Sequence, residues 1–333
     1  MRELIIAEND ANQRVDKFLT KALPMLPKSL MYKYIRNKKI KVNRKRCEIA
    51  QRLQVGDTLQ CYIAEEFFAH QKHNYDFLQV PKHLHILYED QNILIAAKPV
   101  NLLVQKDRAG IQDTMNDRLL HYLYDQGTYD PAKEQSFTPV FVHRLDRNTE
   151  GILIAAKNAE ALRIINEKLR CHEVMKYYLA LVEGKMTKEQ GELVFHHQKD
   201  AIHNQALLSD TPTPNSKAIH TSYRVIKTFD HDSLVEILLH TGKSHQIRAS
   251  FAQIHHPLVG DQKYGAAKNK VFPYQALCAY KVCFAFRGKC GCLTSLTNRE
   301  FIWENSRLQR AIETRGDAFF INNKSAKEND DES

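Results

Sequence analysis

The apolar runs of this chain are the length of β-strands. Ile93 to Ala97, Ile152 to Ala156, Tyr178 to Val182 and Leu234 to Leu239 are the strand candidates. None approaches the roughly 20 residues that a membrane-spanning helix needs. Helical patterns lie between them: Asn158 is placed to cap a helix with Ala161, Leu162, Ile165 and Leu169 on one face. From Pro81 to about Arg310 strands alternate with helices. That alternation predicts an α+β domain built on a large mixed sheet.

The first 63 residues read as a small module of their own. Val15, Phe18, Leu19 and Leu23 recur at helical spacing, and Pro24 and Pro27 then break the chain. Ser29 is the expected cap of a second helix carrying Leu30, Met31, Tyr34 and Ile35. Ile40, Val42, Leu59 and Cys61 read as short strands, with Gly56 and Asp57 as a turn. Residues 64–80, which include Glu65, Glu66 and His70 to Asn74, read as a linker. Residues 81–312 form the larger domain. The tail, 313–333, is polar and charged and is expected to be disordered.

Charge narrows the partners. The 333 residues carry a formal net charge of +9, which favours polyanions, nucleic acid first. Much of the excess sits in the first module. Lys33, Arg36, Lys38, Lys39, Lys41, Arg44, Lys45 and Arg46 crowd together, with Glu48 as the nearby acid. A run this dense reads better as a phosphate-contacting surface than as a solvated face. No apolar segment of signal length follows Met1, and no amphipathic helix carries large apolar anchors. A cytoplasmic chain with reduced cysteines and no membrane partner is therefore expected.

The seven cysteines are odd in number, which argues against a disulfide framework. Cys290-Gly291-Cys292 sits at an expected turn without the spacing of a zinc knuckle. His255, His256 and Asp261 likewise lack a recognised ligand spacing. No metal is expected.

Two stretches concentrate chemical side chains. Val142-His143-Arg144-Leu145-Asp146-Arg147-Asn148-Thr149-Glu150-Gly151 sets a carboxylate between two arginines just ahead of a strand. Cations hold a carboxylate ionised, and an ionised, positioned carboxylate can serve as nucleophile or base. By spacing alone, a surface ion-pair cluster is the favoured reading. The second stretch runs from Thr241-Gly242-Lys243-Ser244-His245-Gln246-Ile247-Arg248 to His256-Pro257-Leu258-Val259-Gly260-Asp261 and Tyr264-Gly265.

With Lys98-Pro99 and Lys176-Tyr177-Tyr178-Leu179-Ala180-Leu181-Val182-Glu183-Gly184, these stretches make four motifs in one order. Together they resemble the RluA family of pseudouridine synthases, in the form that carries an extra N-terminal domain. The first module in turn resembles the alpha-L RNA-binding domain of a small-subunit ribosomal protein, through Arg14 to Leu19, Tyr34-Ile35-Arg36, Ile40 to Asn43 and Leu53 to Asp57. Four departures stand out. Arg44 and Asn101 replace glycines, Glu150 replaces a serine, and Lys243-Ser244 replaces Arg-Thr. Asn101 can keep a left-handed turn, and Glu150 is expected to bring negative charge near the active loop.

The resemblance implies a catalytic domain with a large mixed, mainly antiparallel sheet, preceded by a small α/β RNA-binding domain. It implies isomerisation of uridine in RNA, with ribosomal RNA of the large subunit as the expected partner and transfer RNA as the alternative. Asp146 is carried over as the essential carboxylate, Arg248 as its ion partner, and Tyr178 as the surface on which the uracil stacks. Arg144 would help fill the space left by the flipped base. Ile247 and Leu258 would line the uracil pocket, with His143, Lys98 and Gln246 also expected at the substrate. The reaction has no net redox change and loses no group, so no cofactor is expected, and a monomer suffices. A noncatalytic RNA-binding or ribosome-assembly protein would share the basic module. A glycoside hydrolase would need a second carboxylate beside Asp146.

Overall fold

The computed structural model describes residues 1–68, 75–107, 113–200 and 202–314. The linker residues His70 to Asn74 and the tail from residue 315 lie outside the described residues. Packing divides the chain into two units. The first comprises Met1–Arg147, Leu153–Val174 and Phe284–Arg299; the second comprises Asn148–Ile152, Met175–Cys283 and Glu300–Ser333.

The first unit begins with strand β1 (Arg2–Ile5), helices α1 (Val15–Ala22) and α2 (Lys28–Arg36), and strands β2 (Ile40–Val42), β3 (Lys45–Arg46) and β4 (Thr58–Cys61). The strands form an antiparallel sheet in the order β1-β4-β2-β3. Val15, Phe18 and Leu19 of α1 and Met31 and Ile35 of α2 bury their apolar faces with Ile40, Leu59 and Cys61. Helix α2 starts two residues earlier than the sequence suggests. Pro27 is its N-cap and its carbonyl accepts the Met31 amide at 2.9 Å, so Ser29 lies inside the first turn and caps nothing. Proline's fixed φ is already suited to a helix start.

A two-residue turn joins β2 to β3, and both turn residues are left-handed: Asn43 at φ 50° and Arg44 at φ 64°. That is the backbone a right-twisted hairpin demands. Asn43 tolerates it through its side chain, which donates to Asp57 Oδ1 at 2.7 Å and accepts from the Thr58 amide at 2.9 Å.

This module is hydrogen-bonded to the rest of its unit through buried Asp10. The Asp10 carboxylate accepts from Ser136 Oγ at 2.6 Å and Gln135 Nε2 at 2.8 Å. Asn9 donates to Glu134 at 2.9 Å and accepts from the Ala159 amide at 3.1 Å. The remainder of the unit holds β5 (His85–Glu89), β6 (Ile93–Lys98), α3 (Met115–Asp125), β7 (Val140–Phe141), the part of β8 (Glu150–Ala156) from Leu153 onward, and α4 (Ala159–Arg170). β6 lies between β5 and β8, and β7 pairs with β8 antiparallel. Ile93 to Ala97 and Ile152 to Ala156 are buried throughout. As expected, Asn158 caps α4, accepting the Ala161 amide at 2.8 Å.

The second unit carries β9 (Val174–Glu183), β10 (Gln190–Asp200), β11 (Gln205–Ser209), β12 (Lys217–Thr228), β13 (Asp232–Leu239), α5 (Gln246–Gln253), β14 (Leu277–Phe284), β15 (Glu300–Ile302) and α6 (Arg307–Thr314). Its strands run in the order β11-β10-β12-β13-β9-β14. From β11 to β9 the pairs are antiparallel. β14 pairs in parallel with Glu150 and Gly151 of β8, which makes the sheet mixed and largely antiparallel. Gly151 is required at that pairing: its φ is 121°, and a Cβ there would lie 2.2 Å from the Ala279 carbonyl oxygen.

Glu150 takes a different role from the one expected of it. Its buried carboxylate accepts the Arg307 amide at 3.0 Å and the Leu308 amide at 3.3 Å. The charge is spent on the first free N–H groups of α6, where the helix dipole favours an anion. All seven cysteines are free thiols, and burial pushes Cys61 up to about 12. Among the described residues no helix is long and apolar enough to cross a membrane.

Candidate active site

The residues that carry chemistry fall in both units. In the first, the segment between β7 and β8 is fastened on either side of Asp146. The Val142 amide donates to the Ile154 carbonyl at 2.8 Å. His143 Nε2 accepts the Ile154 amide at 3.3 Å, which fixes the ring in line with β8. On the other side, Lys98 stands at the end of β6, 1% exposed. Its ammonium donates at 2.8 Å to each of three carbonyls: Pro99, Leu102 and Arg147.

A lysine buried to this degree must find its hydrogen bonds inside the chain. Here they tie the turn at Asn101 to the residue after Asp146. Asn101 is left-handed, at φ 60°, as its substitution for glycine requires. Leu145 is buried and Asp146 half-buried, while Arg144 and Arg147 are exposed. Arg147 makes a surface bridge to Asp107 at 3.6 Å. Lys98 and His143 thus use their polar groups to hold the loop that carries Asp146.

In the second unit Tyr178 lies mid-strand in β9, opposite Ile237 of β13 and 5% exposed. Lys176, two residues earlier, shares its face of the strand. A Cβ on Gly242 would lie 3.8 Å from the Lys176 ammonium. Desolvation lowers the Lys176 pKa.

The loop before α5 is organised by Gln246, which is 2% exposed. Its carbonyl oxygen accepts from Thr241 Oγ1 at 3.0 Å and the Lys243 amide at 3.1 Å. Its amide nitrogen donates to the His220 carbonyl at 3.1 Å and Thr221 Oγ1 at 2.9 Å. Like Lys98, Gln246 satisfies its polar group within the chain.

Two residues on, Arg248 forks onto Asp261: Nε to Oδ2 at 2.6 Å and Nη2 to Oδ1 at 2.7 Å. Both are buried. Such a paired, two-bond arrangement fixes a guanidinium in plane. The Tyr264 ring lies 5.0 Å beneath it. The Tyr264 hydroxyl meets His245 Nδ1 at 2.9 Å and accepts the Ala206 amide at 2.8 Å. Asp261 is thus the residue that holds the Arg248 guanidinium. The sequence signal for it was the Gly260-Asp261 pair of the fourth motif. Gly260 (φ 79°) allows the approach, since a Cβ would lie 2.0 Å from the Phe272 carbonyl oxygen. Ile247 is 5% exposed and Leu258 fully buried, bridging to Val182.

The N-terminal module supplies a third set. Lys33, Arg36, Lys38, Lys39, Arg44, Lys45 and Arg46 are exposed and Lys41 half-buried. Lys39 lies 5.4 Å over Tyr34, and Lys41 5.4 Å over Tyr62. None of the eight is ion-paired among the described residues. Unpaired cations on one short stretch of helix and hairpin suit a phosphate backbone.

Known proteins match the chain in two separate stretches. Residues 92–253 match the family model described as RNA pseudouridylate synthase, and residues 13–59 match the S4 domain. An "Uncharacterized RNA pseudouridine synthase MG370" of Mycoplasma genitalium is 32% identical over 293 residues, spanning 85% of this chain and 88% of that protein. "Ribosomal large subunit pseudouridine synthase D" of Salmonella typhimurium is 31% identical over 265 residues, spanning 78% of this chain and 75% of that one. Among solved structures, "Human RNA Pseudouridylate Synthase Domain Containing 4" shares the fold at a TM-score of 0.53 and 19% identity, over 69% of this chain and 92% of that one. The chain belongs to the RNA pseudouridine synthases of the RluA type, isomerases that here carry an S4-like RNA-binding domain ahead of the catalytic one.

Proposed function

We propose that this enzyme modifies uridines of large-subunit ribosomal RNA, with Asp146 as its catalytic carboxylate. The observation that carries the assignment of Asp146 is the double fastening of its loop, by His143 on one side and by the buried Lys98 ammonium on the other. Catalytic groups must be held to within a fraction of an ångström. The choice of large-subunit RNA is supported by relatives named for that substrate at 31% identity, and by the unpaired cations of the first module.

In the reaction the glycosidic bond of uridine breaks, the uracil turns, and a ring carbon bonds to the sugar in place of the nitrogen. Atoms and electrons balance without a co-reactant. Asp146 either attacks the anomeric carbon or takes a proton from the sugar. In both routes an anionic carboxylate stabilises positive charge at that carbon. Arg248 is assigned, by the family resemblance, as the cation that serves the catalytic carboxylate. Asp261 and Tyr264 hold that guanidinium in place. Tyr178 is assigned as the stacking surface for the uracil. The target base must leave its own stack first, and exposed Arg144 is assigned to the space it vacates. The same reading has the protein act as a monomer in the cytoplasm.

The test is to express wild type and Asp146→Ala in cells lacking the native gene and map pseudouridine across total RNA. A large-subunit uridine modified by wild type alone supports both assignments. Sites confined to transfer RNA overturn the substrate. Sites that persist in Asp146→Ala overturn the role of Asp146.

A further inference from the structure

Next to the loop that Gln246 organises, three metal-ligating side chains converge on one face of the sheet of the second unit. Glu192 lies on β10, His220 on β12, and His240 immediately beyond β13. The register explains the meeting. Glu192 pairs with Ser222, and Thr221 pairs with Leu239. In antiparallel strands this sets His220 opposite His240, and alternate residues share a face. The two imidazoles stack with centroids 4.1 Å apart and planes 10° from parallel. Glu192 is hydrogen-bonded to His220 Nε2 and accepts from Ser222 Oγ at 2.8 Å. Ser222 Oγ lies 2.5 Å from His240 Nε2.

We propose that Glu192, His220 and His240 form a binding site for a divalent transition metal, with zinc the best fit, that cross-links β10, β12 and β13. One ligand atom from each residue lies within 4.8 Å of the others. Donors bonded to zinc at about 2.0–2.2 Å lie roughly 3.3–3.6 Å apart, so the three side chains must close in on the ion when it binds. Two imidazoles and one carboxylate are a donor set that zinc takes with three protein ligands, leaving a fourth position for water or another oxygen. Nickel and copper suit the same nitrogens.

The surroundings favour a built site. The backbone of His220 is fixed from both sides: its amide donates to Thr241 Oγ1 at 2.9 Å and its carbonyl accepts from Gln246. Ser222 Oγ already gathers the Glu192 carboxylate and His240 Nε2 around one point, and a metal that takes those atoms would displace it. Glu192 and Ser222 also line an open cleft of about 480 Å³ with Tyr177, Arg224 and Glu236. The ligands come from three separate strands, so a bound metal ties together segments that the unfolded chain leaves apart. Binding then stabilises the fold by mass action.

The experiment is zinc titration of the full chain by calorimetry, with thermal unfolding run in zinc and in chelator. His220→Gln, His240→Gln and Glu192→Gln are compared with His83→Gln, an exposed histidine far along the sequence. The expected result is one saturable zinc per chain, with affinity reduced by more than about tenfold in each of the three variants and unchanged in His83→Gln. Zinc should raise the melting temperature of wild type and His83→Gln only, and bound cobalt should give the absorption of a four-coordinate ion. Unfolding in chelator reports whether each variant is folded before metal is added. If zinc binds wild type and the His220→Gln/His240→Gln double variant equally, or does not saturate, the cluster is a cross-strand ion pair and the proposal fails.

Discussion

Lys98 donates its buried ammonium to the carbonyl oxygen of Arg147, 2.8 Å away and 49 residues on in the chain. The same nitrogen holds the carbonyls of Pro99 and Leu102, so one side chain sets the backbone beside Asp146 against the turn at Asn101. Lys98→Met keeps most of the volume and removes all three hydrogen bonds, taking this partner from the carbonyl of buried Leu102. An unmade buried hydrogen bond costs about 1–3 kcal/mol, so a loss of that order in urea unfolding is expected. Turnover should fall by about 100-fold with KM little changed, because the carboxylate drifts while the RNA surface stays intact. Wild-type turnover in folded Lys98→Met would remove Lys98 from the positioning of Asp146.

The carboxylate of Glu150 meets the amides of Arg307 and Leu308. Restoring the serine that the resemblance calls for shortens the side chain and removes the charge at the start of α6. Glu150→Ser is expected to cost about 1 kcal/mol, the usual value of a helix N-terminal anion or cap. RNA affinity and turnover should stay within about twofold, since helix capping uses the charge. A large change in RNA affinity without a change in stability would return Glu150 to the neighbourhood of the substrate.

Arg44 bears a left-handed backbone without being glycine. Arg44→Gly should relieve that conformation and stabilise the module by about 1 kcal/mol in thermal unfolding. The same change removes one exposed cation of the basic surface. RNA binding should weaken, and the slope of log affinity against log salt should become shallower by roughly one. The two effects have opposite signs, which separates them from a simple folding defect. Unchanged affinity and salt slope would place Arg44 off the RNA path.

What residue spacing alone could give in detail was local, and the strand–helix alternation with the family resemblance supplied the mixed sheet and the two domains. The strand runs around Ile93 and Ile152, the Asn158 cap and the left-handed Asn101 depend on residues within one element or turn. The roles that were missed depend on partners far along the chain. Glu150 meets an amide 157 residues away, and Gln246 meets Thr221 across 25. Nothing in the spacing of Glu192, His220 and His240 marks them as neighbours, because strand register alone brings them together. Ser29 failed as a cap for a local reason: Pro27 starts the helix first.

Lys176 offers the test that links stability to function. Desolvation lowers its pKa below the ordinary value of 10.5, so the folded protein disfavours the charged form. Between the lowered pKa and the unfolded one, the unfolded chain binds more protons, and stability rises with pH. Below the lowered pKa the penalty is complete; above the unfolded pKa it is gone. Lys176→Met should therefore raise the melting temperature at neutral pH, and the gain over wild type should shrink as pH rises through that window. A side chain kept at such a cost beside Tyr178 and the loop at Gly242 is expected to serve the reaction. Turnover of Lys176→Met on RNA should accordingly fall even as the protein becomes harder to unfold. A variant that is both more stable and fully active would show that the lysine is tolerated there and not used.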